Sequence, residues 1–196
     1  DESTEKRIIA FTSQSLRQYG IRAVRMDDIA RNMNISKGLY TIYTTKDNLI
    51  NTCWWVYQSR IENTFHIIRY DPPDILEYLW AVSKAYIENL YKAACVFWLD
   101  VSRHLEYKYI YNLYNRIWSD ELEKTLLACL KERHIIPDLE VRTFVESFTA
   151  LLYNARVAEC LPAMLHSSAT FMLRGIMTES GIGLFDNILR KNQVIS

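Results

Sequence analysis

Glycine and proline are scarce, at 5 and 4 of 196 residues. Strand-rich and loop-rich folds spend these residues on turns, so their scarcity favours helices. Long apolar runs are lacking too. The longest uncharged stretches are about a dozen residues, as over 161–173, whereas a membrane span needs roughly 20. The opening Asp1-Glu2-Ser3-Thr4-Glu5 is polar and acidic and carries no signal-peptide pattern. Net charge is zero, 23 Lys and Arg against 23 Asp and Glu. That excludes a histone-like polycation and an acidic disordered tail. Paired cysteines are lacking: Cys53, Cys95, Cys129 and Cys160 are scattered without CxxC spacing. They read as reduced thiols on the helices of a cytoplasmic protein.

Catalytic and cofactor motifs are also missing. There is neither a GxGxxG nor a P-loop. His66, His104, His134 and His166 show no HExxH spacing. Asp100 and His104 lie one helical turn apart, which two metal ligands could use, but a surface or pocket-lining pair is the simpler reading. Asp100, Ser102 and His104 share one helix, so they cannot adopt triad geometry. No cysteine has the basic surroundings of a nucleophile. The expectation is a protein that is not an enzyme and holds no metal or cofactor.

What is present is a globular chain, 49% hydrophobic, long enough to bury a core without staples. Its charge is uneven. Over 6–46 stand eight basic residues against only Asp27 and Asp28, a local net of +6. The rest therefore carries −6. A basic head on an acidic body suits a protein whose head meets a polyanion.

Helical spacing runs through Ile8, Phe11, Leu16 and Tyr19 and stops at Gly20. A short helix follows over about 26–32, with Asp27 and Asp28 in its first turn, where they complement the dipole. Asn34 suits a left-handed turn, Ser36 an N-cap for a third helix over about 37–43, and Thr45 the cap of a long fourth helix from Lys46 to about Tyr70. Further helices are expected to about Tyr91 and over 95–104, 106–134, 138–160 and 163–179, with Gly181 and Gly183 setting off a last short one. No strand is evident. The expected architecture is all-α: a three-helix head with a helix-turn-helix over 1–47, and a helical bundle for ligand binding and dimerisation over 48–196.

Two short helices joined by a tight turn make a helix-turn-helix, whose second helix enters the major groove. In this head, Gly20, Asp28-Ile29-Ala30, Ile35-Ser36-Lys37-Gly38, Leu39-Tyr40, Tyr43, Lys46 and Leu49 agree in order and spacing with one pattern. The segment from Ile8 to Ile50 resembles the head of the TetR (tetracycline-repressor-like) family of bacterial transcription regulators. Beyond it the chain matches only in length and helicity. The resemblance implies an operator-binding homodimer with an effector site in its helical body. One residue is missing relative to the family pattern between Gly38 and Leu39, which as a true shortening turns the helix by about 100° relative to the turn. Ile42 and Tyr43 stand where Tyr-Phe is common.

Roles follow residue by residue. Tyr40 has a phenol that can reach a phosphate, and its rival role is packing on the first helix. Thr41 faces outward, toward a base edge or a thymine methyl. Lys46 sits in a first helical turn, an unfavourable place for a cation, which a phosphate neighbour would explain. Ser36 and Lys37 open the recognition helix, where backbone N–H groups attract anions. Gly38 permits close approach of the backbone. Arg25 opens the preceding helix beside the flanking backbone, and Tyr43 completes the DNA-facing set that the resemblance implies. The rival role of each cation is a solvated surface charge.

Residues 48–118 hold 16 of the 25 aromatic residues, including all five Trp. Such a bundle can line a pocket for a planar or apolar ligand. Trp54, Phe65, Tyr86, Phe97, Trp98 and Trp118 are its candidate walls, with Arg103 and His104 as polar anchors beside Asp100. Each could equally be core. Helices 138–160 and 163–179 carry apolar stripes (Val141, Phe144, Val145, Phe148, Leu151 and Leu152; Leu165, Phe171, Met172 and Ile176) interleaved with small residues. That pattern suits a two-fold helical interface. The function expected is ligand-responsive regulation of transcription: repression released by a small apolar or aromatic effector, through the long fourth helix. The rival is an all-α ligand-binding protein or enzyme whose head has lost DNA.

Overall fold

The computed structural model describes residues 2–70 and 74–193, without the side chains of Ser36, Lys37, Tyr70 and Gln193. Ten α-helices follow one another among the described residues. They are α1 (Glu2–Tyr19), α2 (Met26–Met33), α3 (Ser36–Ile42), α4 (Lys46–Tyr70), α5 (Ile75–Leu90), α6 (Cys95–Arg103), α7 (Lys108–Lys131), α8 (Val141–Val157), α9 (Pro162–Gly175) and α10 (Glu179–Gln193). A 3₁₀ turn, Leu105–Tyr107, precedes α7. The only extended pairing among the described residues is an isolated bridge between Ile135 and Met177. None of the described helices is long and apolar enough to cross a membrane.

The chain divides into two compact units. The first comprises Asp1–Asn63 and Lys92–Leu113. Its α1 buries Ile8, Thr12 and Leu16, one stripe at four-residue spacing. Gly20 ends α1 at φ +84°, with its N–H on Leu16 O at 2.9 Å. Glycine is needed there twice over. The left-handed conformation suits it, and a Cβ would lie 2.6 Å from Asp100 Oδ2. Asn34 ends α2 at φ 55°, a conformation asparagine tolerates. Leu39 and Tyr43 turn inward from α3. Thr45 caps α4 by accepting the Asn48 N–H at 3.2 Å. Helix α6 packs on α1.

The second unit comprises Thr64–Tyr91 and Tyr114–Ser196. Helices α8 and α10 pack on α5, and α9 packs on both α5 and α8. Leu79, Val82, Trp118, Phe148, Leu165, Ala169 and Phe185 are fully buried in this core. Asp74 caps α5 by accepting the Leu76 N–H at 2.8 Å. Pro72 and Pro73, which precede α5 in the sequence, lie outside the described residues.

The boundaries depart from the sequence reading at several places, among them α3, which begins at Ser36 with Ile35 and not Ser36 as its N-cap, and α9, which ends at Gly175 and not near 179. Helix α7 ends near Arg133 and α8 near Glu159, both left-handed at φ 60° and 61°. Neither is a residue that announces such a turn. Gly181 and Gly183 do not set α10 off; they lie inside it. A Cβ at Gly181 would fall 2.2 Å from His134 O, so that glycine lets α10 approach the chain leaving α7.

Candidate nucleic-acid interface and effector cleft

The head of the first unit presents one side of α3 to solvent. Gly38, Tyr40, Thr41 and Ile42 are exposed, while Leu39 and Tyr43 hold the helix to the core. A Cβ at Gly38 would meet only Ile35 Cβ, at 4.0 Å, so packing does not require glycine there. Arg25 is exposed at the N-cap of α2. The α3 backbone begins at Ser36. The side chains of Ser36 and Lys37 lie outside the described residues.

Tyr40, Tyr43 and Lys46, all expected to face DNA, have partners inside the protein. Tyr40 Oη donates to Asp27 Oδ1 at 2.5 Å, and this bond raises its pKa. It ties α3 to the first turn of α2. Tyr43 is 5% exposed and donates to Glu5 Oε1 at 3.1 Å. Burial first, and then Glu5, pushes its phenol up to about 12. Tyr43 thus belongs to the interior of the head, not to its exposed face. Lys46 Nζ donates to Ile21 O at 2.5 Å, and burial lowers its pKa. That carbonyl explains a cation in the first turn of α4 without a phosphate. An ammonium has three N–H groups, so one intramolecular bond leaves donors for another acceptor.

The loop between α1 and α2 is held from α6. Asp100 is 6% exposed, and its Oδ2 accepts the Arg22 backbone N–H at 3.1 Å. His104 Nε2 lies 3.3 Å from Arg22 Nη1 and 3.7 Å from Asp100 Oδ1. Ala94 N–H donates to Arg17 O at 2.8 Å. The sequence reading took Asp100 and His104 for pocket anchors. The structure gives them the loop instead, a pairing across roughly eighty residues that no local pattern announces.

The expected aromatic walls separate into two groups. Trp54 and Phe97 line a cleft in the first unit between α1, α4, α6 and the start of α7. Leu16, Ile21, Ile50 and Ile110 complete its apolar surface, and Arg17 and Arg60 are its cations. Its interior volume is about 50 Å³. Trp98 is buried with its ring edge-on to Phe97 at 5.0 Å. Arg103 is exposed at the end of α6. In the second unit, Phe65, Tyr86 and Trp118 pack on one another as core. Trp118 lies 5.1 Å from Phe65 and 5.3 Å from Tyr86 between ring centroids. Tyr86 Oη donates to Thr149 O at 3.2 Å. The eight candidates are thus divided between the two units.

A polar network in the second unit escaped the sequence reading. Arg69 and Tyr78 both donate to Glu121, and Arg69 Nε donates to Tyr78 Oη at 2.9 Å. Burial and then Glu121 raise the Tyr78 pKa. Arg69 and Glu121 are 52 residues apart, so spacing carried no signal. Among the described residues, no group of three or more His, Cys, Asp or Glu is placed to hold a metal ion.

Of the dimer stripes, Val141, Val145, Phe148, Leu152, Leu165 and Ile176 are buried within the second unit. Apolar surface remains on α8 and α9 at Leu151, Met164 and Phe171, 43%, 56% and 73% exposed.

No protein-family model matches the chain, and no curated protein sequence matches it. Solved structures do. A TetR-family transcriptional regulator from Agrobacterium tumefaciens matches with TM-score 0.74 at 17% identity, over 90% of this chain and 99% of that one. A gamma-butyrolactone receptor (ArpA-like protein) matches with TM-score 0.75 at 14% identity, over 100% and 98%. The ketosteroid transcriptional regulator KstR2 of Mycobacterium tuberculosis matches with TM-score 0.65 at 17% identity, over 90% and 96%. At such identities the likeness is one of fold, and function rests on the sites. The chain has the fold of the TetR-family transcriptional regulators.

Proposed function

We propose that this protein is a dimeric, ligand-responsive DNA-binding regulator of transcription, a repressor released by a small-molecule effector, with no enzymatic activity. The observation that carries the reading is the split face of α3. Leu39 and Tyr43 anchor it, while Gly38, Tyr40, Thr41 and Ile42 stay outside, and Arg25 is exposed at the N-cap of α2. A recognition helix needs that division. The local net charge of +6 over 6–46 supplies the attraction to phosphate. The effector reading is supported by the apolar cleft and by neighbours described as a ketosteroid regulator and a gamma-butyrolactone receptor.

Thr41 reads a base edge in this proposal, and Arg25, Lys37 and Lys46 bind the backbone. A second copy joins through the exposed apolar surface of α8 and α9, which sets two heads on two half-sites. The effector acts through α4, one continuous helix from the head into the second unit. A coupling of about 1–3 kcal/mol changes operator affinity about 5- to 150-fold.

One observation favours the rival, a ligand-binding protein with a silent head. Tyr40 and Lys46, both expected on phosphates, bond Asp27 and Ile21 instead. Selection from random duplexes separates the two readings. Enrichment of a palindrome with half-sites about one helical turn apart supports the regulator. Failure to enrich any sequence supports the rival.

A further inference from the structure

The outward side of α3 is a single stripe. Gly38, Thr41 and Ile42 stand at i, i+3 and i+4, so they share one face. All three are exposed, while Leu39 and Tyr43 are buried. The chemistry of the stripe is narrow. Ile42 is pure hydrocarbon and 40% exposed. Gly38 presents bare backbone, and a Cβ there would meet only Ile35 Cβ, at 4.0 Å. Thr41 brings one hydroxyl and one methyl. The Tyr40 hydroxyl is engaged by Asp27 at 2.5 Å. In its sequence α3 has no Arg, Asn, Gln, Asp or Glu, and Lys37 is its one charged residue.

We propose that Ile42 reads thymine through the 5-methyl group, so that the DNA element this protein selects is defined by thymines more than by guanines. The major-groove edges of the bases differ in what they ask of a side chain. Guanine asks for the donors of Arg or Lys, adenine for Asn or Gln, and cytosine for an acceptor. Thymine alone adds an apolar group. An isoleucine set against the other edges takes water from polar atoms and pairs none of them, which costs free energy. Against the methyl it removes apolar surface from water. Ile42 therefore selects thymine by attraction and rejects the other bases by penalty. Its side chain is short, and Gly38, one helical turn earlier on the same stripe, lets the backbone come close enough for it to reach. Charge indicates that DNA, and not an apolar partner, covers this stripe. It lies within residues 6–46, where eight basic residues face two acidic ones. The inference rests on the regulator reading above and adds which base the helix selects.

The test uses the whole protein and a duplex enriched by selection. Each thymine of a half-site, on either strand, is replaced in turn by deoxyuridine, which removes the 5-methyl group and leaves the pairing edges and phosphates in place. Fluorescence anisotropy is expected to show binding weakened about fourfold at one or more positions, the effect of one buried methyl-sized group. I42A is expected to bind the thymine duplex about fourfold or more weakly and to lose the uracil effect at one of those positions. Its salt slope is expected to stay unchanged, since no phosphate contact is lost. I42V is expected to keep the uracil effect. Ile42 is exposed, so both variants should retain the helical circular dichroism spectrum. Equal affinity for thymine and uracil at every position, a uracil effect of the same size in I42A, or an enriched half-site without thymine overturns the assignment and leaves the regulator reading standing. A selection that enriches no sequence overturns both.

Discussion

Gly20 and Asp100 give the most demanding check on how α6 holds the head. In G20A the residue keeps φ near +84°, a left-handed conformation that costs about 1–2 kcal/mol for a residue with a Cβ. The new methyl lies 2.6 Å from Asp100 Oδ2, so the carboxylate must leave. It then releases the Arg22 N–H, which it now accepts at 3.1 Å. A hydrogen bond to a charged group contributes about 1.5–3 kcal/mol. G20A should therefore cost about 2.5–5 kcal/mol in all. D100A alone removes the same hydrogen bond and should cost about 1.5–3 kcal/mol. In the double variant the clash is gone, and G20A adds only the backbone strain. Val96 Cγ2, 3.0 Å from the new methyl, is on a partly exposed side chain that can yield. The double-mutant cycle should thus show a coupling of about 1.5–3 kcal/mol, read from urea midpoints at constant m value. Additivity within about 0.5 kcal/mol would falsify the proposed hold of Asp100 on the loop. The single variants should also weaken operator binding, since this loop mounts α2.

Other outcomes are expected from the same geometry. The Tyr43 phenol titrates at about 12 when folded, against 10.0 for the free side chain. A raised folded pKa gives stability that is complete below pH 10 and lost as the pH rises toward 12. The wild type should therefore lose stability across that window by chemical denaturation, and Y43F should lose less; parallel pH profiles would count against the buried phenol. K46A should weaken all duplexes alike and reduce the salt slope by about one unit, whereas an unchanged slope assigns Lys46 to Ile21 alone. Burial raises the Cys53 and Cys129 pKa values, the latter to about 12, so native thiol labelling should be slow at these two and faster at the half-buried Cys95 and Cys160. Sedimentation at micromolar concentration should show a dimer that F171D converts to monomer; a wild-type monomer removes the α8–α9 interface.

The head was legible because its signals are local. Gly20, Asn34 and Thr45 each mark a helix end through their own backbone or side-chain chemistry, and the structure puts all three to that use. Periodicity found Ile8 and Leu16 of α1, but it also named Tyr19, which is exposed, and passed over the buried Thr12. Signals failed where structure depends on distant partners. Arg133 and Glu159 also take left-handed turns, closed by the His134 N–H on Cys129 O and the Cys160 N–H on Ala155 O, that neither residue type announces. Gly181 serves the approach of His134 O and so misled as a breaker. Of the six candidate aromatic walls, Trp54, Phe65, Tyr86, Trp98 and Trp118 are buried, which suits a pocket and a core alike. Inwardness alone could not show that Trp54 and Phe97 line one unit while Phe65, Tyr86 and Trp118 fill the other. Asp100 looked like a ligand anchor because Arg22, its partner, lies 78 residues away.

The central claim is that the head recognises a DNA sequence. The direct measurement is fluorescence anisotropy of a labelled duplex from upstream of the gene, or of one enriched by selection, against a scrambled duplex at two salt concentrations. The expected result is a preference of about 10³-fold or more, with a steep salt dependence. Equal and weak binding to the scrambled and the enriched duplex at both concentrations would contradict the claim and leave a ligand-binding protein with a silent head.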